Sequence, residues 1–113
     1  MFDDQENHAH NIRQAGQRQK EAEENLARAQ AMEKMTFAKA QMEGEAQGAK
    51  SLAAQTRHAD LQGEVFNARL NVGVAKGEVA AAKAEYRACE MEFDTWRTQQ
   101  ATHRLERNLY AKT

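Results

Sequence analysis

Apolar and small residues recur every three or four positions along most of this 113-residue chain, the spacing of one helix face. The pattern is sharpest toward the C-terminus. Leu61, Val65, Ala68, Val72, Ala75, Val79, Ala82, Tyr86, Cys89, Phe93 and Trp96 alternate steps of four and three without a miss. Such a heptad seam packs against a second helix in a left-handed supercoil. Past Trp96 the same frame meets Gln100, His103 and Arg107, so the seam turns polar. The spacing predicts a helix over about 60–111, capped by Asp60.

The N-terminal half reads as a second long helix, about 4–43, opened by Asp3 with Glu6 three residues on, a capping pair. Ile12, Ala15, Ala22, Leu26 and Ala29 share one heptad frame, while Ala31, Met35, Ala38 and Met42 share another, shifted by two residues. A phase change of that kind predicts a straight or locally unwound helix pair rather than an ideal supercoil. Between the long helices lies "EGEAQGAKS", residues 43–51. Its glycines and Ser51 predict a turn over about 44–51 and a new helix start, with a short helix at 52–58. The fold class expected is all-α: a long antiparallel helical hairpin or coiled coil, forming a single domain over 1–113.

A second stripe runs along the last helix, off the seam. Phe66, Leu70, Gly73, Val74, Gly77, Ala81, Ala84, Ala88 and Met91 also recur every three or four residues. Gly73, Gly77 and Ala81 form a small-xxx-small row that lets another backbone approach closely, as it does inside membranes. Lys76, Glu78, Lys83 and Glu85 beside it exclude a membrane here. A helix apolar on two sides is sandwiched between two neighbours. Phe66, Leu70, Gly73, Gly77, Ala81, Ala84 and Ala88 are therefore the expected oligomer interface, covered by a short middle helix, a second copy or a foreign partner.

Composition sharpens this picture. Alanine fills 22 positions and Leu, Ile, Val and Phe together only 15, with no proline and near-balanced charge, 17 acidic against 16 basic residues. Ala, Glu, Lys, Gln and Arg are strong helix formers, so long helices packed through small side chains are expected. An alanine seam buries little area, at roughly 25 cal/mol per Å², which makes self-association the expected remedy. The start "MFDDQENHAH" is too acidic and polar for a signal peptide, and no apolar run reaches the length of a membrane span. The lone Cys89 leaves no intramolecular disulfide, which fits a cytoplasmic setting.

Candidate chemistry is sparse. His8 and His10 form an H-x-H pair, but two ligands two residues apart do not share a helical face. His8 and His10 therefore read as a frayed polar end, and His58 with Asp60 is no better a metal site. Cys89 occupies a seam position, where a small buried thiol is structural. No glycine sits between strand and helix as a phosphate loop requires. No catalytic residue, metal or cofactor is expected.

The stretch "FDTWRTQQATHRLERNLYAKT", 93–113, differs from the rest by combining Trp96 and Tyr110 with Arg97, Arg104, Arg107 and Lys112. Arginine beside aromatics is the composition of interface hot spots and of phosphate-binding patches. Trp96, Arg97, Arg104 and Arg107 are the expected partner-binding residues, and in a hairpin Arg13, Arg18 and Lys20 would approach the same end. The run from about Glu33 to Tyr110, above all "ACEMEFDTWRTQQATHRLE", resembles small helical proteins of tailed bacteriophages encoded in early regions near DNA-metabolism genes. That resemblance implies a phage origin, the cytoplasm of a bacterial host and an early-gene role, points to Asp94, Trp96 and Arg97 for testing, and carries over no catalytic residue.

Together these readings give an expected non-enzymatic accessory that binds and modulates a host or phage protein machine acting on nucleic acid, inhibitors of host defence included. A recombination accessory touching single-stranded DNA through the basic C-terminal end is the alternative. A structural coiled-coil spacer is the third reading.

Overall fold

The computed structural model describes residues 3–111, which are 93% helical. Helix α1 spans Asp4–Ala46, α2 Leu52–Asp60 and α3 Gly63–Ala111, so the fold is an all-α helical hairpin with a short helix at its turn. Two compact units divide the chain: Lys20–Ala80, and Met1–Gln19 together with Ala81–Thr113.

Local chemistry sets each helix end. The Asp3 carboxylate accepts from the Glu6 N–H at 2.8 Å, capping one of the free N–H groups of the first turn. At the far end of α1, Ala49 N donates to the Gly44 carbonyl at 2.9 Å and Gly48 N to Glu45 at 3.1 Å. With Gly48 at φ +107°, this is a Schellman stop, which needs a residue free of the Cβ penalty. Ser51 then caps α2, its hydroxyl accepting from Ala54 N at 3.1 Å. Only Leu61 and Gln62 separate α2 from α3, and the Gln62 side chain donates to the His58 carbonyl at 3.0 Å. Asp60 caps nothing in α3. It is the last residue of α2, and its carboxylate accepts from Arg69 Nη2 at 2.7 Å.

Within the Lys20–Ala80 unit, α1 runs antiparallel to α3, and α2 closes the end. Ala40, Ala59 and Val65, one from each helix, pack together with Phe37 against them. Arg69 lies 5.7 Å from the Phe37 ring centre and 3.9 Å from the Glu33 carboxylate. Farther along, Ala22 on α1 and Ala68, Val72, Ala75 and Val79 on α3 are buried. In the other unit α1 and α3 are again antiparallel. Arg18 pairs with Glu85 at 2.9 Å, Gly16 lies under Tyr86, and His8 meets Phe93 and Trp96.

The structure also departs from the expected seams on α1 and α3. Ala31, Met35, Ala38 and Met42 do not form a shifted seam; all four are exposed. The first frame continues instead through half-buried Glu33 and Thr36 to buried Ala40. A polar residue is tolerated there because Glu33 reaches Arg69 at the rim of the interface, and unbroken register keeps one face toward α3. Leu61 is 82% exposed, because it lies in the α2–α3 connection, so the α3 seam begins at Val65.

The glycines of α1 make opposite predictions. A Cβ at Gly16 would meet Tyr86 no closer than 3.5 Å, so Gly16→Ala should stabilise by about 0.5–1 kcal/mol through helix propensity. A Cβ at Gly44 would stand 3.0 Å from Cβ, Cγ and Cδ2 of His58. The His58 Cβ cannot rotate away, so Gly44→Ala should cost about 1–3 kcal/mol in overpacking, more than the roughly 1 kcal/mol that helix propensity returns. Melting followed by far-UV circular dichroism should move the two midpoints in opposite directions.

Candidate functional site

The seam changes character as α3 leaves its alanine and valine positions. From Tyr86 onward the inward residues are Cys89, Phe93 and Trp96, all half-buried, because small residues on α1 give way to His8 as the opposing side chain. The His8 ring centre lies 5.8 Å from Phe93 and 5.5 Å from Trp96. Phe93 and Trp96 are near-parallel, 13° apart, with centres separated by 6.1 Å. Histidine next to two aromatics is a packed side chain rather than a frayed end. The helical spacing held the signal, since His8, Ile12 and Ala15 lie on one line, but that line becomes visible only when Trp96 is known to stand opposite.

Trp96 Nε1 is buried and has no hydrogen-bond partner among the described residues. An unpaired buried donor costs about 1–3 kcal/mol, so the indole is not placed for its hydrogen bond. Its ring instead walls two shallow grooves. One, of about 460 Å³, is polar and includes Asp94, Arg97, Thr98, Gln100 and Arg104. The other, of about 560 Å³, is lined by His8, Ala88, Met91, Glu92, Thr95 and Gln99. Arg97 is held loosely, 4.0 Å from Asp94 and 5.4 Å from the Phe93 ring centre, with most of its side chain in solvent.

Of the expected partner-binding residues, the structure brings Trp96, Arg97 and Arg104 to one groove. Arg107 lines a separate depression of about 380 Å³ with His103, Glu106 and Tyr110. Arg18 does not join them, because it faces Glu85. Residues Ala101–Ala111 are exposed on every side, and there Leu105, Leu109 and Tyr110 stand in the open. The expected interface residues Phe66, Leu70, Gly73, Gly77, Ala81, Ala84 and Ala88 are all exposed too, and none of the described helices covers them. The short middle helix packs on the seam side instead, through Ala59.

Among the described residues, no three His, Cys, Asp or Glu side chains converge as metal ligands and no helix is long and apolar enough to cross a membrane. Comparison with known proteins finds no matching family profile, no matching curated protein and no matching solved structure.

Trp96 can be probed by two substitutions. Trp96→Ala removes ring contacts with His8 and Phe93, and because the ring is only half-buried the loss should fall below the roughly 3–5 kcal/mol of a fully buried tryptophan. Trp96→Phe keeps an aromatic ring and deletes the unpaired N–H, so stability should be unchanged or higher. Urea unfolding of both variants checks this; equal losses would mean the N–H is paired in solution.

Proposed function

We propose that this chain is a non-catalytic accessory protein of phage type that binds and modulates a protein machine acting on nucleic acid, using the C-terminal third of α3 as its working surface. One observation carries the reading: a single tryptophan ring walls both a groove edged by Arg97 and Arg104 and a groove edged by Ala88 and Met91. A partner can seat an apolar side chain on one side of the ring and a carboxylate or phosphate on the other. Tryptophan and arginine together are the residues that most often concentrate binding energy, and planar guanidinium groups grip carboxylates and phosphates in two-point fashion.

Binding of single-stranded nucleic acid is the second reading. It is favoured by Tyr110, 80% exposed, with Arg107 and His103 lining the same depression. An open aromatic beside bases is a stacking platform with electrostatic attraction.

The double variant Arg97→Ala with Arg104→Ala separates these readings from that of a solvated helix end. Exposed charges contribute little to stability, so its melting temperature should stay at the parent's value. Binding of the partner captured from host extract, re-measured with purified components, should weaken about tenfold or more, corresponding to at least roughly 1.4 kcal/mol. A charge-matched control, Lys34→Ala with Lys39→Ala on α1, should bind as the parent does. Capture abolished by nuclease, with affinity falling steeply as salt rises, would favour the nucleic-acid reading. Equal binding by parent and double variant would remove this surface from consideration.

A further inference from the structure

The outer face of α3 in the Lys20–Ala80 unit carries features that its own chain does not use. Phe66, Leu70 and Val74 are 61, 52 and 62% exposed. With Arg69 and Gly73 they line a groove of about 510 Å³. A Cβ built on Gly73 or Gly77 meets nothing within 4 Å. Neither glycine has a positive φ, since Gly48 alone does among the described residues. Mid-helix glycine costs about 1 kcal/mol against alanine, so two of them in a row of apolar side chains stand without an intramolecular reason. A second helix lying close along this face supplies one.

The charges beside the face select that helix. Leu70, Gly77 and Ala84 follow one another at heptad spacing along the middle of the face. Arg69, Lys76 and Lys83 each stand one residue before them, about 100° to one side at 3.6 residues per turn. Glu78 and Glu85 each stand one residue after Gly77 and Ala84, about 100° to the other side. The face thus has a basic edge and an acidic edge between Arg69 and Glu85; at Glu90 the basic series ends. In a two-fold pair of parallel helices, the basic edge of one copy meets the acidic edge of the other. In an antiparallel pair, like edges meet. Arg69 and Glu85 already hold partners in their own chain, Asp60 and Arg18, so Lys76 against Glu78 carries most of the selection.

We propose that a second copy of this chain covers the face, with the two α3 helices parallel and Gly73 and Gly77 at the closest approach. Two-fold closure buries Phe66, Leu70 and Val74 of both copies and leaves no open end. Lys76 then lies about 3 Å along the axis from Glu78 of the other copy, and Lys83 equally from Glu85. The inference goes beyond the partner-binding reading and is independent of it, because none of these residues lines a groove walled by Trp96.

Sedimentation and cysteine cross-linking test the proposal. The parent should sediment as a dimer. Lys76→Glu with Lys83→Glu makes both edges acidic, and Glu78→Lys with Glu85→Lys makes both basic. Each variant alone should dimerise at least tenfold more weakly, and an equimolar mixture should recover the dimer. Orientation follows from single cysteines in a Cys89→Ser background. Leu70→Cys, Gly77→Cys and Ala84→Cys should each cross-link to its own copy under mild oxidation, because in a parallel pair every mid-face residue meets itself. In an antiparallel pair at most one of the three can. A parent that stays monomeric at tens of micromolar, cross-linking at one position only, or a mixture that fails to recover the dimer would overturn the proposal. Retained partner capture by a monomeric parent would leave the Trp96 reading standing, and loss of capture in a dimeric Arg97→Ala, Arg104→Ala variant would leave the dimer standing.

Discussion

Everything in this structure depends on how thin the interface between α1 and α3 is. Among the described residues, the buried apolar side chains are seven alanines and three valines. On α3 they alternate strictly, valine at 65, 72 and 79 and alanine at 68, 75 and 82. Short side chains let two backbones approach closely and pack evenly over many turns, but each contact removes little apolar surface from water. Register, rather than bulk, does the specifying. That is why α1 keeps one frame through half-buried Gln19, Glu33 and Thr36 in preference to burying Met35 and Met42. A rim position tolerates a polar side chain whose head reaches water or a partner, whereas a change of phase would unwind both helices.

Where the seam widens, the chemistry becomes more varied. Tyr86, Phe93 and Trp96 are too large to be enclosed by the small residues opposite them, so they remain half open, with His8 as a partial cover. A half-covered tryptophan between two grooves is a modest contributor to stability and leaves ring surface open to solvent. Along α3, alanine and valine fill the buried seam in one stretch, and half-buried aromatics beside exposed arginines follow in another.

The glycines illustrate how one residue type serves distinct constraints. Gly48 is demanded by a backbone angle, and Gly44 by the approach of His58. Gly16, Gly73 and Gly77 are under neither constraint, and a Cβ at Gly73 or Gly77 would meet nothing within 4 Å. Spacing alone reads Gly44 and Gly48 alike as a helix stop, and Gly73 and Gly77 as a row for close approach. The surrounding atoms distinguish a turn, a contact and an unused notch.

Several features were legible in the residues themselves. The all-helical class, the stop near Gly48, the Ser51 and Asp3 caps and the α3 seam from Val65 to Trp96 follow from local rules: propensity, hydrogen bonding of free helix ends, and a period near 3.5. The second apolar stripe of α3 was legible too, because it is a property of one helix; that no described helix covers it was not. What local rules could not supply was which side chains stand opposite each other. Leu61 and Met35 looked like seam residues and are not, Asp60 looked like a cap and is an ion-pair partner of Arg69, and His8 looked frayed and is packed on Trp96. For Leu61 and Asp60 the deciding feature is the two-residue α2–α3 connection, for Met35 and His8 it is the helix that stands opposite, and the offset between antiparallel helices is set by the turn at 47–51 and the wedge of α2. That offset is a tertiary quantity. It selects the partners of every seam residue at once, and no periodicity within a single helix contains it.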